Sequence, residues 1–288
     1  MNPFKTVSII GFGAVGSSLA EYFKDSDSAL VSVWDRKTEV CKIRASDKLA
    51  SAGKNFPESL KELGNTIFIC TPDDQIAKVA AKFSDLSGDW SGYNFVHTSG
   101  SLSADILSDL KIKGAKTASM HPIQTFPGNK SPDSFKKIWI SLQGDDDLLS
   151  DLEILISDFE SECLRLSGSQ KAAMHLAAVF ASNYLVTLMS VVEGVAGDND
   201  IDNSIEILKP IINQTVHNIF ESGTSKSLTG PVARGDTETL KKHLKLLGQN
   251  SETAELYKQL GLKSVHIAEK SGRITSDKAE KLRELLSQ

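Results

Sequence analysis

Along the first half of the chain, short apolar runs of strand length alternate with stretches of helical period, the pattern of a parallel sheet covered on both faces. Strands are predicted at Thr6 to Ile10, Leu30 to Trp34, Thr66 to Cys70, Asn94 to His97, Lys116 to Met120 and Ile138 to Leu142. Helices are predicted at Ser17 to Phe23 and Leu148 to Ser161, with a last strand at Cys163 to Leu166. After Gly168 the strand signals stop. Lys171 to Val195 is apolar on nearly every side, which predicts a helix surrounded by protein rather than one lying on a surface. Further helices are expected at Ile205 to Glu221, ended by Gly223, then at Thr237 to Leu247, Ser251 to Leu260 and Ser276 to Leu286. The expected fold is α/β, a doubly wound parallel sheet over residues 1–168 followed by an all-helical domain over 169–288.

The first strand runs directly into Gly11-Phe12-Gly13-Ala14-Val15-Gly16, the G-x-G-x-x-G spacing of a Rossmann dinucleotide-binding unit. Gly11 permits the tight turn, Gly13 lets the backbone approach a pyrophosphate, and Gly16 lets the helix pack close to the sheet. The anion then sits on free N–H groups at the helix start. Asp35 ends the second strand about 20 residues beyond the triplet, where ribose recognition requires an acid. An Asp there favours NAD, whereas Arg36 and Lys37, which follow it, can accommodate the 2′-phosphate of NADP. Both cofactors stay open. Ligands of such sheets lie outside the carboxyl ends of the strands, so the loops at Thr71-Pro72-Asp73-Asp74, His97-Thr98-Ser99-Gly100-Ser101 and His121-Pro122-Ile123-Gln124 point towards the cofactor. Thr71, Pro72 and Ser99 are the expected second contacts, and His121 is expected near the junction of the two domains.

The chain has 288 residues, 40% hydrophobic and 24% charged, with a net charge of −5. That balance gives no electrostatic footprint for nucleic acid or an anionic membrane and leaves small metabolites as the expected partners. Cys41, Cys70 and Cys163 are widely spaced among apolar residues, so neither a disulfide framework nor a metal site is indicated, and a reducing cytoplasm fits. The first strand begins within a few residues of Met1, which leaves no room for a signal peptide. Leu176 to Met189 carries Ser182 and Asn183 and falls short of the roughly 18 residues of a membrane span, so it reads as a buried helix.

Lys171 and His175 stand four residues apart and project from one helix face. A Lys and a His so placed can share proton transfer with a substrate oxygen or nitrogen while hydride moves to or from a nicotinamide. The plainer alternative is a solvated first-turn lysine and a hydrogen-bonded core histidine. Asn183 lies to one side of the same stripe. Arg234, in the fixed loop Gly230-Pro231-Val232-Ala233-Arg234-Gly235-Asp236, presents a planar fork to a carboxylate or phosphate, or else pairs with Asp236; Asp236 is placed to cap the helix from Thr237. His243 falls on the Leu240, Leu244 and Leu247 face, where a core role is expected.

The glycine-rich start, His121-Pro122-Ile123-Gln124-Thr125-Phe126, Ala181-Ser182-Asn183, and Leu228 to Asp236 followed by His243 resemble the Rossmann-like oxidoreductase proteins with a C-terminal domain of unknown function 2520. The likeness covers nearly the whole chain. It implies kinship with the 6-phosphogluconate dehydrogenase, β-hydroxyacid dehydrogenase and pyrroline-5-carboxylate reductase group. From that group follow an N-terminal NAD(P) domain, a 6-phosphogluconate dehydrogenase C-terminal-like helical domain and a homodimer, with the long central helix a place for subunits to meet. In the hydroxyacid branch a catalytic Lys is followed four residues later by an Asn; here His175 replaces the Asn, and Met174 stands where an aromatic residue is usual. The expectation is a cytoplasmic NAD(P)-dependent oxidoreductase for a small, anionic keto acid, hydroxy acid or imine. Lys171 and His175 are its acid and base, and His121, Asn183 and Arg234 its substrate contacts. The rival from another class is a nucleotide-binding sensor or assembly protein that keeps the fold without turnover.

Overall fold

The computed structural model describes residues 3–36, 51–53, 55–126, 131–248 and 251–288; Lys37 and Cys41 lie outside them. The chain divides into two compact units, Met1–Asn183 and Tyr184–Gln288. The change from alternating strands and helices to helices alone comes near Gly168, whereas the helix beginning there is grouped by its contacts with the first unit.

The first unit carries strands β1 (Thr6–Ile10), β2 (Ala29–Trp34), β3 (Ser51–Gly53), β4 (Thr66–Ile69), β5 (Asn94–His97), β6 (Lys116–Pro122), β7 (Trp139–Gly144) and β8 (Glu162–Arg165). Its helices are α1 (Ala14–Asp25), α2 (Asp73–Ser84), α3 (Ser108–Ile112), α4 (Asp146–Asp158) and α5 (Gly168–Ala181). The described strands form one eight-stranded sheet in the order β3-β2-β1-β4-β5-β6-β7-β8. Side chains alternate between its faces. Val7, Ile9, Phe68 and Val96 join Leu19, Phe23, Leu152 and Ile156 in one core. Ile10, Ile67, Ile69 and Phe95 join Ile76, Phe83 and Leu110 in the other. A sheet buried on both faces explains why its strands read as apolar runs.

The pairing differs from expectation at one joint. β7 runs antiparallel to β6, with Met120 opposite Leu142, while β7 and β8 are parallel. A period-two pattern fixes which face is buried but not strand direction.

The second unit holds α6 (Asn183–Gly197), whose first residue belongs to the first unit, α7 (Ser204–Ser222), α8 (Thr224–Ser227), α9 (Gly230–Arg234), α10 (Thr237–Leu247), α11 (Glu252–Lys270) and α12 (Ser276–Leu286). Its core gathers Val232, Leu240, Val265, Ala268, Ile274, Ala279, Leu282 and Leu286. Asp236 caps α10 as expected, accepting from the Thr239 backbone N–H at 3.0 Å. α11 runs ten residues past the predicted Leu260, and within it the Ser264 hydroxyl donates to the Leu260 carbonyl.

The long central helix is corrected in two respects. It breaks at Ser182, whose φ of −118° and ψ of −68° end α5, and α6 starts at once. It is also not surrounded by protein: Leu176, Phe180, Tyr184, Leu185 and Val186 are exposed, and α6 has no buried residue. Apolarity on every side of a helix calls for cover, and among the described residues of its own unit α6 has none. By length and composition 168–197 is also apolar and long enough to cross a membrane, beyond the shorter stretch read from sequence.

Candidate active site

β1, β4 and β5, on which the site is built, end level with one another, and β6 runs on three residues past Ser119 to Pro122. Ile10 pairs with Ile69, Ile69 with His97, and His97 with Ser119. At about 4.8 Å between neighbouring strands, the residues that follow form one row along the carboxyl edge. The sheet order changes direction between β1 and β4, the switch point at which such sheets open a crevice.

At the β1 end lies the glycine turn. Gly11 has φ +95°, and a Cβ there would stand 2.8 Å from the Cys70 carbonyl carbon. A Cβ on Gly16 would overlap the Gly11 carbonyl oxygen. Both positions are closed to any side chain. A Cβ on Gly13, by contrast, would meet nothing within 4 Å, the open approach a pyrophosphate needs in front of α1. Ala14 and Val15 open α1, and the Phe12 N–H donates to the Asp35 carboxylate at 2.7 Å, so the acid reaches the turn itself. Arg36 beside it is exposed. At the β4 end the Thr71 hydroxyl is buried and has no hydrogen-bond partner among the described residues, and Pro72 leads into α2. An orphaned hydroxyl beside an open glycine cradle fits a dinucleotide.

At the β5 and β6 ends lies a cluster of titratable side chains. Ser167 and Gln170 form a capping box, Ser167 N–H to Gln170 Oε1 at 2.9 Å and Gln170 N–H to Ser167 Oγ at 3.3 Å. This fixes the start of α5 at Gly168, three residues before Lys171. Lys171 is 1% exposed, and its Nζ donates to the carbonyl oxygen of Ser99. Ser119 Oγ also reaches that oxygen, at 3.5 Å. Gly100 comes next, and a Cβ on it would lie 2.7 Å from His121 Nε2 and would overlap His175 Nδ1. The two imidazoles meet edge to face, centroids 5.7 Å apart. Lys171, His175, His121 and the Ser99-Gly100 backbone are therefore one cluster, and Ser99 itself is buried.

Burial sets the protonation of this cluster. Desolvation lowers the Lys171 pKa to about 8, partly opposed by Asp73. Desolvation, with the charge of Lys171, brings His121 to about 4. His97 is lowered to about 4 by the same two causes, desolvation the larger. Asp73, whose carboxylate accepts from Ser101 Oγ at 2.6 Å, is the acid of the neighbourhood. At neutral pH the site thus holds one ammonium with a mobile proton and the neutral imidazoles of His97 and His121. Cys70 is pushed up to about 12 by burial and is no nucleophile.

Asn183 is exposed at the start of α6. Arg234 is exposed at the end of α9 in the second unit, and Asp236, its alternative partner, accepts from the Thr239 hydroxyl. His243 is not simply core: its Nδ1 bonds the Tyr257 hydroxyl at 2.8 Å in an apolar cavity of about 340 Å³. Gly100, His97 and Asp73 went unassigned in the sequence, although His97-Thr98-Ser99-Gly100, directly after a strand, carries the signal. Among the described residues no group of three or more His, Cys, Asp or Glu is placed to hold a metal.

Residues 2–122 match the Rossmann-like domain and residues 138–264 the domain of unknown function DUF2520. A protein from Thermotoga maritima is similar in structure, with a TM-score of 0.68 and 24% identity over 92% of this chain and 99% of its own. A candidate NADP oxidoreductase from Bacteroides fragilis gives 0.69 and 21% over 92% and 98%. A reductive aminase from Aspergillus terreus, solved with NADPH and ethyl-5-oxohexanoate, gives 0.57 and 13% over 99% and 93%. No curated protein matches the sequence.

Proposed function

Because this chain belongs to the Rossmann-like proteins that carry a DUF2520 domain, we propose that it is an NAD(P)-dependent oxidoreductase in which Lys171 exchanges the proton at the substrate's reacting oxygen or nitrogen. The observation that carries this reading is a nearly inaccessible ammonium, tied to Ser99, on the same strand edge as the open glycine cradle. Gly11, Phe12, Gly13, Ala14, Val15 and Gly16 would hold the pyrophosphate, Asp35 and Arg36 the adenosine ribose, and Thr71, Pro72 and Ser99 the nicotinamide half. The bound nicotinamide supplies or accepts the hydride.

The chain's own part is proton handling. Ser99 takes one of the three N–H bonds of Lys171 and leaves two for a substrate atom. With a pKa near 8 the ammonium gives up a proton readily at neutral pH, and the amine takes one back in the reverse direction. His175 and His121, neighbours across Gly100, orient the substrate and relay protons. Arg234 and Asn183 remain candidate substrate contacts, Arg234 for an anionic group. The exposed Val186, Ile207, Ile211 and Phe220 of α6 and α7 support a homodimer in which a second copy covers them.

The test is a turnover screen of the purified protein with NADPH and NADH against keto acids, semialdehydes and cyclic imines. Oxidation of either cofactor above the background rate with one of these classes is the expected result. A protein that binds the cofactor and turns over none of them would be a sensor.

A further inference from the structure

His97 ends β5, is wholly buried, and makes two hydrogen bonds that constrain each other. The Ser99 backbone N–H lies 3.2 Å from Nδ1, and because an amide can only donate, Nδ1 must accept. The proton is then on Nε2, which donates to the Ser103 carbonyl at 3.1 Å. Between these anchors, Ser99 Oγ accepts from the N–H groups of Ser101 at 3.2 Å and Leu102 at 3.1 Å. One ring and one hydroxyl thus fix the turn from 99 to 103. That turn brings Gly100 against His121 and His175 and offers the Ser99 carbonyl to Lys171.

We infer that His97 is a positioning residue for this site: its neutral imidazole clamps both ends of the turn and so keeps the Ser99 carbonyl aimed at the Lys171 ammonium. The inference rests on reading Lys171 as the acid of the proposed reaction. His97 itself touches no reacting group. The groups acting on it are Lys171 from α5, Asp73 from α2 and His121 from β6, and desolvation with Lys171 keeps the ring uncharged. A proton on Nδ1 would face the Ser99 N–H, donor against donor, and release the turn.

The experiment reads Lys171 directly and needs no substrate. Protein carrying ¹³C at lysine Cε is titrated by NMR, with the Lys171 signal assigned by its loss in Lys171→Met. The wild type is expected to titrate near 8. His97→Leu fills the ring's place and removes both bonds, so the buried ammonium loses its fixed acceptor and its pKa falls by about one unit or more. His97→Asn keeps an acceptor near the Nδ1 position and holds Lys171 close to the wild-type value. If His97→Leu does not fold, His97→Gln, with a donor on the Nε2 side and no acceptor at Nδ1, is expected to show the same fall. An unchanged Lys171 pKa in a folded Leu or Gln variant overturns the inference. So does a rise, which would mean that the ring seals Lys171 from water rather than holding its partner. A failed turnover screen leaves this result standing, and an unchanged titration leaves the oxidoreductase reading intact.

Discussion

Lys171 is bonded to the carbonyl oxygen of Ser99, a residue 72 positions earlier, which ties the first turn of α5 to the loop after β5. A lysine charge buried without an acceptor would cost several kcal/mol; with one, it becomes an acid of reduced pKa. The geometry of the Ser99-Gly100 turn therefore controls the chemistry of a side chain on another element, and the turn is the place to perturb it.

Gly100→Ala puts a methyl group where His121 and His175 now stand, so at least one imidazole must move. Turnover is expected to fall by about tenfold or more, on the scale of a displaced proton-transfer group. NADPH affinity should stay near wild type, because Gly100 is not in the glycine cradle. Steady-state kinetics with fluorescence titration of NADPH checks both, and unchanged kcat would remove Gly100 from the site.

Gly13 and Gly16 should separate binding from folding. Gly13→Val enters open space and is expected to keep the melting temperature while abolishing cofactor binding. Gly16→Ala collides with the Gly11 carbonyl and should lower both stability and affinity. Calorimetry and NADPH titration on the two variants test the assignment, and full affinity in Gly13→Val would refute the pyrophosphate site.

His97 and His121 make the fold sensitive to acid. Each has a folded pKa of about 4, below the ordinary histidine value of 6.5, so the unfolded chain binds the proton first. The stability these two rings contribute is therefore complete above about pH 6.5 and falls as pH drops towards 4. The loss is up to about 3 kcal/mol for each ring at the low end. Urea melts at pH 7 and pH 4.5 should show the fall in the wild type and a smaller one in His121→Gln. An equal fall in both proteins would show that His121 is not held neutral.

The strands were legible because burial on both faces leaves apolar runs bounded by glycine and polar loops; β1, β5 and α12 have the predicted limits. The cradle was legible because its glycines answer to local backbone needs. The break at Ser182 was not, because the apolar pattern continues through it, and neither was the reversal of β7, which leaves the period unchanged. Lys171 and His175 stood out by their spacing, but their partners Ser99, Gly100 and His121 come from strands distant in sequence. Only the pairing of β5 with β6, which runs on past the end of β5 to His121, brings them together.

Arg234→Lys should weaken apparent substrate binding by about tenfold or more, since Lys cannot reproduce a bidentate grip on a carboxylate or phosphate. Cofactor affinity should hardly change. Substrate KM and NADPH Kd measured on the variant decide the matter. A lower melting temperature with unaltered KM would make Arg234 a residue that merely holds its loop.

The most direct test of the whole account is the turnover of Lys171→Met with the best substrate of the screen, measured across pH beside the wild type. Wild-type reduction should decline as pH rises through about 8, where Lys171 loses its proton. In Lys171→Met that inflection should vanish and kcat should fall by about 100-fold or more, with NADPH affinity preserved. A variant that keeps wild-type kcat and the same pH inflection would contradict the assignment of Lys171 as the proton donor.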